Sequence, residues 1–161
     1  MNDERELSAI ARSIIDDNQY LTLGTADEDG RPWVSPVYFA AADHTEFYWI
    51  SAPGSDHSRN IAGRPEVSIV VFDSRAPIFT GQAVYMSGVA AQVADADLER
   101  GLEVYPGRSG AVSFTADELR PPGRYRMYRA IVAQHWILCP RESGPCAPHG
   151  RDVDHRTSVT V

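Results

Sequence analysis

The 161-residue chain contains no lysine, and all 15 of its basic residues are arginine. That absence removes a Walker-type phosphate-binding lysine, an internal Schiff base to pyridoxal phosphate and a lysine general base. Arginine must supply every permanent cationic side chain, and its planar fork suits bidentate contact with phosphate. Cysteine is nearly as scarce. Cys139 and Cys146 are spaced too widely for a C-x-x-C redox or zinc pair, and two cysteines make no disulfide framework, so ordinary reduced thiols are expected. No apolar run approaches the roughly 20 residues that span a bilayer, and Asp3, Glu4, Arg5 and Glu6 do not open a basic-then-apolar signal peptide. A cytoplasmic protein is therefore expected. The 22 acidic residues leave a net charge of -7, which weighs against nucleic acid or an anionic membrane as the main partner. Any anion site has to be local. G-x-S-x-G, H-E-x-x-H and G-x-G-x-x-G are all missing, so hydrolase, zincin and Rossmann readings have no support.

What is present reads as one domain over residues 1–161, with an N-terminal helix in 1–18 and an extended tail in 140–161. Leu7, Ile10, Ala11, Ile14 and Ile15 recur at helical spacing, predicting an amphipathic helix from Asp3 to Asp17. Tyr20 to Thr25 and Pro32 to Ala41 read as a hairpin joined by Asp27-Glu28-Asp29-Gly30, and a third strand follows from Thr45 to Ser51. Further strands are expected at Val67 to Phe72, at Ala83 to Val93 and at Tyr125 to Leu138. Gly88, inside the second of these, suggests a bulge or a close backbone contact. Asp95 to Tyr105 reads as a helix, and Thr115 to Glu118 matches a capping box that starts another. Strands outnumber helices and the parallel βαβ alternation is missing. The fold class is mainly β with peripheral helices, a six-stranded antiparallel split barrel of Greek-key type.

The segment from Glu46 to Asp73 carries the most chemistry. Pro53-Gly54 ends a strand, Ser55 or Asp56 caps a helix, and Gly63-Arg64-Pro65 closes that helix after about two turns. Ser55, His57, Ser58, Arg59 and Asn60 thus crowd a helix start whose free N–H groups suit a phosphate. A solvated helix that caps itself is the equally weighted alternative from local pattern alone. Ser35 and Ser51 lie on neighbouring strands able to edge a flat apolar pocket of the kind that holds planar cofactors. Gln82 offers an amide to a heteroaromatic ring. Trp136 either stacks on such a ring or fills the core, the commoner fate, and His135 then alternates to the opposite face as a surface or interface residue. His149, Asp152, Asp154 and His155 lie together in the tail. Their spacing does not preorganise metal ligands, so they read as solvated and no metal site is expected.

The order of these features resembles a known family. An N-terminal helix, then L-x-x-x-D-x-D-G-x-P-x-x-S-P-V-Y-F, then W-I-S-A-P-G-S-D-H-S-R-N-I-A-G-R-P-E-V-S-I-V-V-F, is similar to the pyridoxamine 5'-phosphate oxidase-like FMN-binding split barrels. The likeness runs from about Leu21 to Trp136 and is most specific between Ser51 and Val71. It implies a homodimer with flavins between subunits. It also implies that Ser35, Pro36, Val37 and Tyr38 run along the flavin and that Ile50 and Ser51 close over it. By the same likeness His57 stands where the family has a phosphate-binding cation, with Ser58, Arg59 and Asn60 beside it, and Gln82, Trp136 and Arg156 match flavin-contacting positions. Ala40 replaces the lysine of the true oxidases, so pyridoxamine phosphate is not the expected substrate. The implied activity is FMN-dependent hydride transfer to or from a small molecule. The same family also implies two alternatives, an F420-dependent reductase and a non-catalytic flavin- or haem-binding module.

Overall fold

A computed structural model describes residues 4–105, 112–139, 145–146 and 149–161. Helix α1, Glu4–Asp17, lays Leu7, Ser8, Ala11 and Ile15 against the sheet, with Ile10 and Ile14 packed at the margin. Full burial of Leu7 and Ile15 stabilises the contact by about 1.5–3 kcal/mol each. Ser8 is tolerated on this face because its hydroxyl donates back to the carbonyl of Glu4 at 2.9 Å. Asp3, the expected first residue of this helix, lies outside the described residues.

Strands β1 (Tyr20–Ala26) and β2 (Pro32–Tyr38) form the expected hairpin, with Gly30 at φ 83°. Only a residue without Cβ holds that backbone cheaply. Asp27 braces the same turn, its carboxylate accepting from the backbone N–H groups of Asp29 and Arg31 at 3.0 and 2.9 Å. The long second strand expected to reach Ala41 is interrupted at Phe39, whose N–H makes the last bond of the hairpin, to the carbonyl of Gln19. It resumes as β3, Ala40–Ala42, paired with β4, Glu46–Ser51. Asp43 and His44 both adopt positive φ between them, the tight hairpin turn whose twist matches its strands.

Helix α2 (Asp56–Gly63) links β4 to β5 (Glu66–Phe72), which pairs with β6 (Ala83–Gln92), and β6 pairs with β7 (Arg126–Leu138). Between β6 and β7 a 3-10 turn at Asp95–Asp97 runs into α3, Leu98–Val104. The Thr115 capping box is present: Thr115 N–H donates to the Glu118 carboxylate at 2.8 Å, ahead of a 3-10 turn at Asp117–Leu119. Part of the tail, expected to be loop or extended, joins the sheet. It returns as β8, Arg156–Val159, and adds to β7. All pairings are antiparallel in the order β2-β1-β5-β6-β7-β4-β3, with β8 also on β7. Among the described residues the result is the expected split, half-closed barrel with three helices, carrying eight strands because β3 and β8 are too short to read from sequence.

Gly88 confirms the expected close approach. A Cβ there would lie 2.3 Å from the carbonyl oxygen of Ile131 on the facing strand. The register shifts at this point, Ser87 facing Gln134 and Gly88 facing Val132, so Ala133 is the extra residue of a bulge. The bulge inverts the alternation of β7. Ala130 and Val132 point into the core before it, His135 and Ile137 after it. Without that inversion Trp136 would point inward. This corrects the surface placement expected for His135, which is buried and bonds the carbonyl of His44 through Nε2 at 2.8 Å. Burial pushes its pKa below the ordinary histidine range, against the opposing pull of the His44 carbonyl.

Candidate functional site

The polar residues singled out between Ser51 and Asn60 converge at the junction of β4 and α2. His57 Nε2 lies 2.9 Å from Ser51 Oγ and 3.2 Å from Ser55 Oγ, and Ser55 Oγ lies 2.8 Å from Ser58 Oγ. Ser55 occupies the N-cap position with extended backbone, yet its side chain caps nothing. Its hydroxyl bonds the carbonyl of Ala52 at 2.9 Å, an atom that can only accept. The expected cap is therefore not made, and the first-turn N–H groups stay available to an anion. Pro65 stops the helix by forcing Arg64 into extended backbone, and Gly63 takes no left-handed turn. Asn60 reaches the other way and donates to Thr25 Oγ1 at 3.1 Å, fixing α2 on β1. Thr25 is a contact that the strand pattern alone did not mark.

The electrostatics are those of a neutral donor set. Burial lowers the pKa of His57 below its ordinary value, against the raising effect of Asp56, so the imidazole is mostly uncharged at neutral pH. Arg59, the remaining cation, is engaged with the Asp56 carboxylate and with the carbonyl of Gly54. A cleft of about 320 Å³ beside α2 is lined by Asp27, Glu28, Asp29, Arg59, Asn60 and Gly63. Three carboxylates against one paired guanidinium make that cleft a poor place for a phosphate. The start of the helix, with three hydroxyls, an imidazole and free N–H groups, fits one.

The remaining candidates sit elsewhere. In β2, Ser35 and Val37 face the interior, Pro36 is exposed, and Tyr38 is partly buried with its Oη enclosed and unpartnered. Tyr38 packs edge-on against Tyr20 and Tyr105. Ile50 faces Met127, and Ser51 faces Arg126 at the start of β7. Trp136 is near the far end of β7, paired with Tyr85 and Ser158, and is absent from the core. Gln82 immediately precedes β6 at that same end, where Val84 faces Ile137. Ten residues of β7 separate Arg126 from Trp136, which at about 3.3 Å each is roughly 30 Å. Within one chain, then, Trp136 and Gln82 do not meet the Ser51–His57 cluster. Arg156 lies with its guanidinium carbon 3.9 Å from the Tyr85 ring centroid, a cation–π contact beside Trp136. Tyr85 was not singled out from the sequence. An ordinary strand tyrosine carries no signal until β8 lays an arginine on it.

The family model for pyridoxamine 5'-phosphate oxidase matches residues 7–139. The chain belongs to this family. No curated protein matches the chain. Solved structures share the family's fold. HutZ, the haem storage protein from Vibrio cholerae, superposes with a TM-score of 0.63 at 22% identity, covering 80% of this chain and 91% of that one. A haem binding protein from Mycobacterium smegmatis gives 0.66 at 19% identity, over 92% of this chain and 56% of that one. An F420 reductase gives 0.54 at 21% identity, over 77% and 94% respectively. At such identities the likeness establishes the family's split barrel and leaves the ligand to the residues of this chain. Among the described residues no helix is long and apolar enough to cross a membrane.

Proposed function

We propose that this member of the oxidase family is a cytoplasmic FMN-dependent oxidoreductase acting on a small molecule, with FMN held between two copies of the chain. The observation that carries the reading is the uncapped start of α2, where Ser51, Ser55, His57 and Ser58 present donors and the one carboxylate of the first turn, Asp56, is paired with Arg59. When bound, the isoalloxazine ring supplies hydride transfer at N5. The chain's own part is binding, orientation and exclusion of water. First-turn N–H groups, Ser51, Ser58 and His57 hold the phosphate. Arg59 adds its charge only by leaving Asp56. Ser58 Oγ and His57 Nε2 donate to Ser55 Oγ, because Ser55 spends its single proton on the Ala52 carbonyl, and both donors can turn to a phosphate instead. Gln82 and Trp136 meet the ring from the partner copy. Their distance of roughly 30 Å from Ser51 along one β7 supports this sharing.

Apolar surface supports the same pairing. Val89 and Ile131 face each other across β6 and β7, 53% and 52% exposed, and Trp33 and Val34 lie open on the edge strand β2. Ala40 argues against pyridoxamine phosphate as substrate. It is enclosed with Tyr48, Val93, Leu98 and Met127, where a cation has neither room nor water.

Purified protein titrated with FMN, followed by quenching of flavin fluorescence, tests the reading. Saturation at about one FMN per chain, and reduction of the bound flavin by a nicotinamide donor, are expected. A haem or F420 chromophore in the purified protein, or no uptake of FMN, overturns it.

A further inference from the structure

The return of the tail onto β7 has a second consequence, at Cys139, Cys146, His149 and His155. One sulfur or nitrogen from each residue lies within 4.8 Å of all the others. Cys146 Sγ is 3.4 Å from His149 Nδ1 and 3.5 Å from His155 Nε2, and Cys139 Sγ is 3.6 Å from His149 Nδ1. The two imidazole nitrogens are 3.0 Å apart. Zinc bonds of about 2.3 Å to sulfur and about 2.05 Å to nitrogen, at tetrahedral angles, give edges of about 3.5–3.6 Å between sulfur and nitrogen and about 3.3 Å between nitrogens. Of the six edges, three match within about 0.1 Å and the nitrogen–nitrogen edge is about 0.3 Å short, while the two others, from Cys139 Sγ to Cys146 Sγ and to His155 Nε2, lie within 4.8 Å. Both cysteines are buried, while His149 is exposed and leaves a path for entry.

The surroundings aim the ligands. His155 Nδ1 lies 3.0 Å from the carbonyl of Val153, which can only accept, so the ring proton sits on Nδ1 and the lone pair on Nε2 faces the cluster. Opposite that lone pair is Nδ1 of His149, so a proton or a cation must lie between them. The backbone closes the same knot. Cys139 N–H bonds the carbonyl of His155 at 2.9 Å, Cys146 N–H that of Arg151 at 2.7 Å, and Gly150 N–H that of Cys146 at 2.8 Å. Gly150 turns at φ 62° to allow it. The spacing C-x6-C-x2-H-x5-H follows no short motif, which is why the tail read as solvated.

We propose that Cys139, Cys146, His149 and His155 form a tetrahedral Cys2His2 zinc site that pins the tail to the end of β7. One Zn2+ displaces the two thiol protons and leaves a neutral centre, so no charge is added near Trp136 and Arg156. Its role is structural. Four protein ligands leave no open position for substrate or water, and His155 precedes Arg156, the residue that lies over Tyr85.

The test uses the full chain purified under reducing conditions without added chelator, with metal measured by inductively coupled plasma mass spectrometry. About one zinc per chain is expected. Cobalt added to the metal-free protein should give the visible absorption of a tetrahedral centre and a thiolate-to-cobalt charge-transfer band. His149→Ala, at an exposed position, should lose both zinc and the cobalt spectrum with its far-UV circular dichroism unchanged. Cys146→Ser should lose the charge-transfer intensity of one thiolate, and His44→Asn, outside the cluster, should retain full metal. Less than about a tenth of an equivalent of zinc, together with a featureless cobalt titration, overturns the proposal. A Cys139–Cys146 disulfide in the same preparation, or undiminished metal in His149→Ala, overturns it equally.

Discussion

Replacing Gly88 by alanine tests the bulge that turns Trp136 outward. The new Cβ would lie 2.3 Å from the carbonyl oxygen of Ile131 and 3.0 Å from the Cα of Val132. Both are backbone atoms of a hydrogen-bonded strand and cannot swing aside as a side chain would. Reaching ordinary contact requires β7 to retreat by about 1 Å, and overpacking of this kind costs about 1–3 kcal/mol, here the upper end. The narrower unfolded ensemble of alanine returns about 0.4–1 kcal/mol. The net loss is about 2 kcal/mol, or about 4–8 °C in Tm for a chain of this size. Thermal unfolding of Gly88→Ala beside Gly81→Ala measures it, since a Cβ at Gly81 meets nothing within 4 Å. Gly81→Ala should stay within about 0.5 kcal/mol of the parent. A Gly88→Ala protein melting within about 1 °C of the parent would refute the close approach and, with it, the inverted alternation that places His135 inside.

Three further outcomes follow from the charged and capping groups. His57 and His135 both have pKa values depressed chiefly by burial, so unfolding takes up protons between their folded values and the ordinary value near 6.5. Stability is therefore full above about pH 6.5 and falls on acidification; urea unfolding between pH 7.5 and 5.5 should show the decline, and His135→Gln should flatten it, whereas equal slopes in the two proteins would contradict the assignment. Asp56→Asn releases Arg59 from an exposed ion pair and removes a negative charge from the phosphate site. FMN should bind about 3–10-fold tighter while riboflavin, which lacks the phosphate, is unaffected; parallel changes for both ligands would place the phosphate elsewhere. Thr115→Ala deletes the hydroxyl of the capping box and should cost about 0.5–1 kcal/mol in chemical unfolding, with no change in FMN affinity.

The parts of this molecule legible in its sequence are those fixed by local chemistry. The apolar stripe of α1, the Asp27–Gly30 turn, the two-turn α2 and the Thr115 box all depend on residues a few positions apart, and each is found where its pattern puts it. The Ser51–His57 contact was legible for the same reason, as six residues bridge a strand end and the next helix. What was not legible depends on distant chain. The inversion of β7 needs Ala133 to be squeezed out opposite Ser87 and Gly88, forty-odd residues away in sequence. The Tyr85–Arg156 contact and the Cys2His2 cluster exist only because β8 returns to β7, and a four-residue strand in a Pro/Gly-rich tail has no periodicity to read. Ser55 shows the opposite failure. Its local pattern pointed to a cap, and an equally local acceptor, the Ala52 carbonyl three residues back in the preceding turn, took its proton instead.

The central claim is a cofactor site divided between two chains, with the α2 cluster on one and Trp136 on the other. Mixing two inactive variants tests it most directly. His57→Ala and Trp136→Ala proteins, each titrated alone, should bind FMN weakly. After joint unfolding and refolding at equal concentration, half of the dimers are mixed and each mixed dimer carries one intact site. Tight FMN binding should then return at about a quarter of the parent's capacity. No recovery on mixing, with both variants folded and dimeric, would contradict the account and place the whole site within one chain.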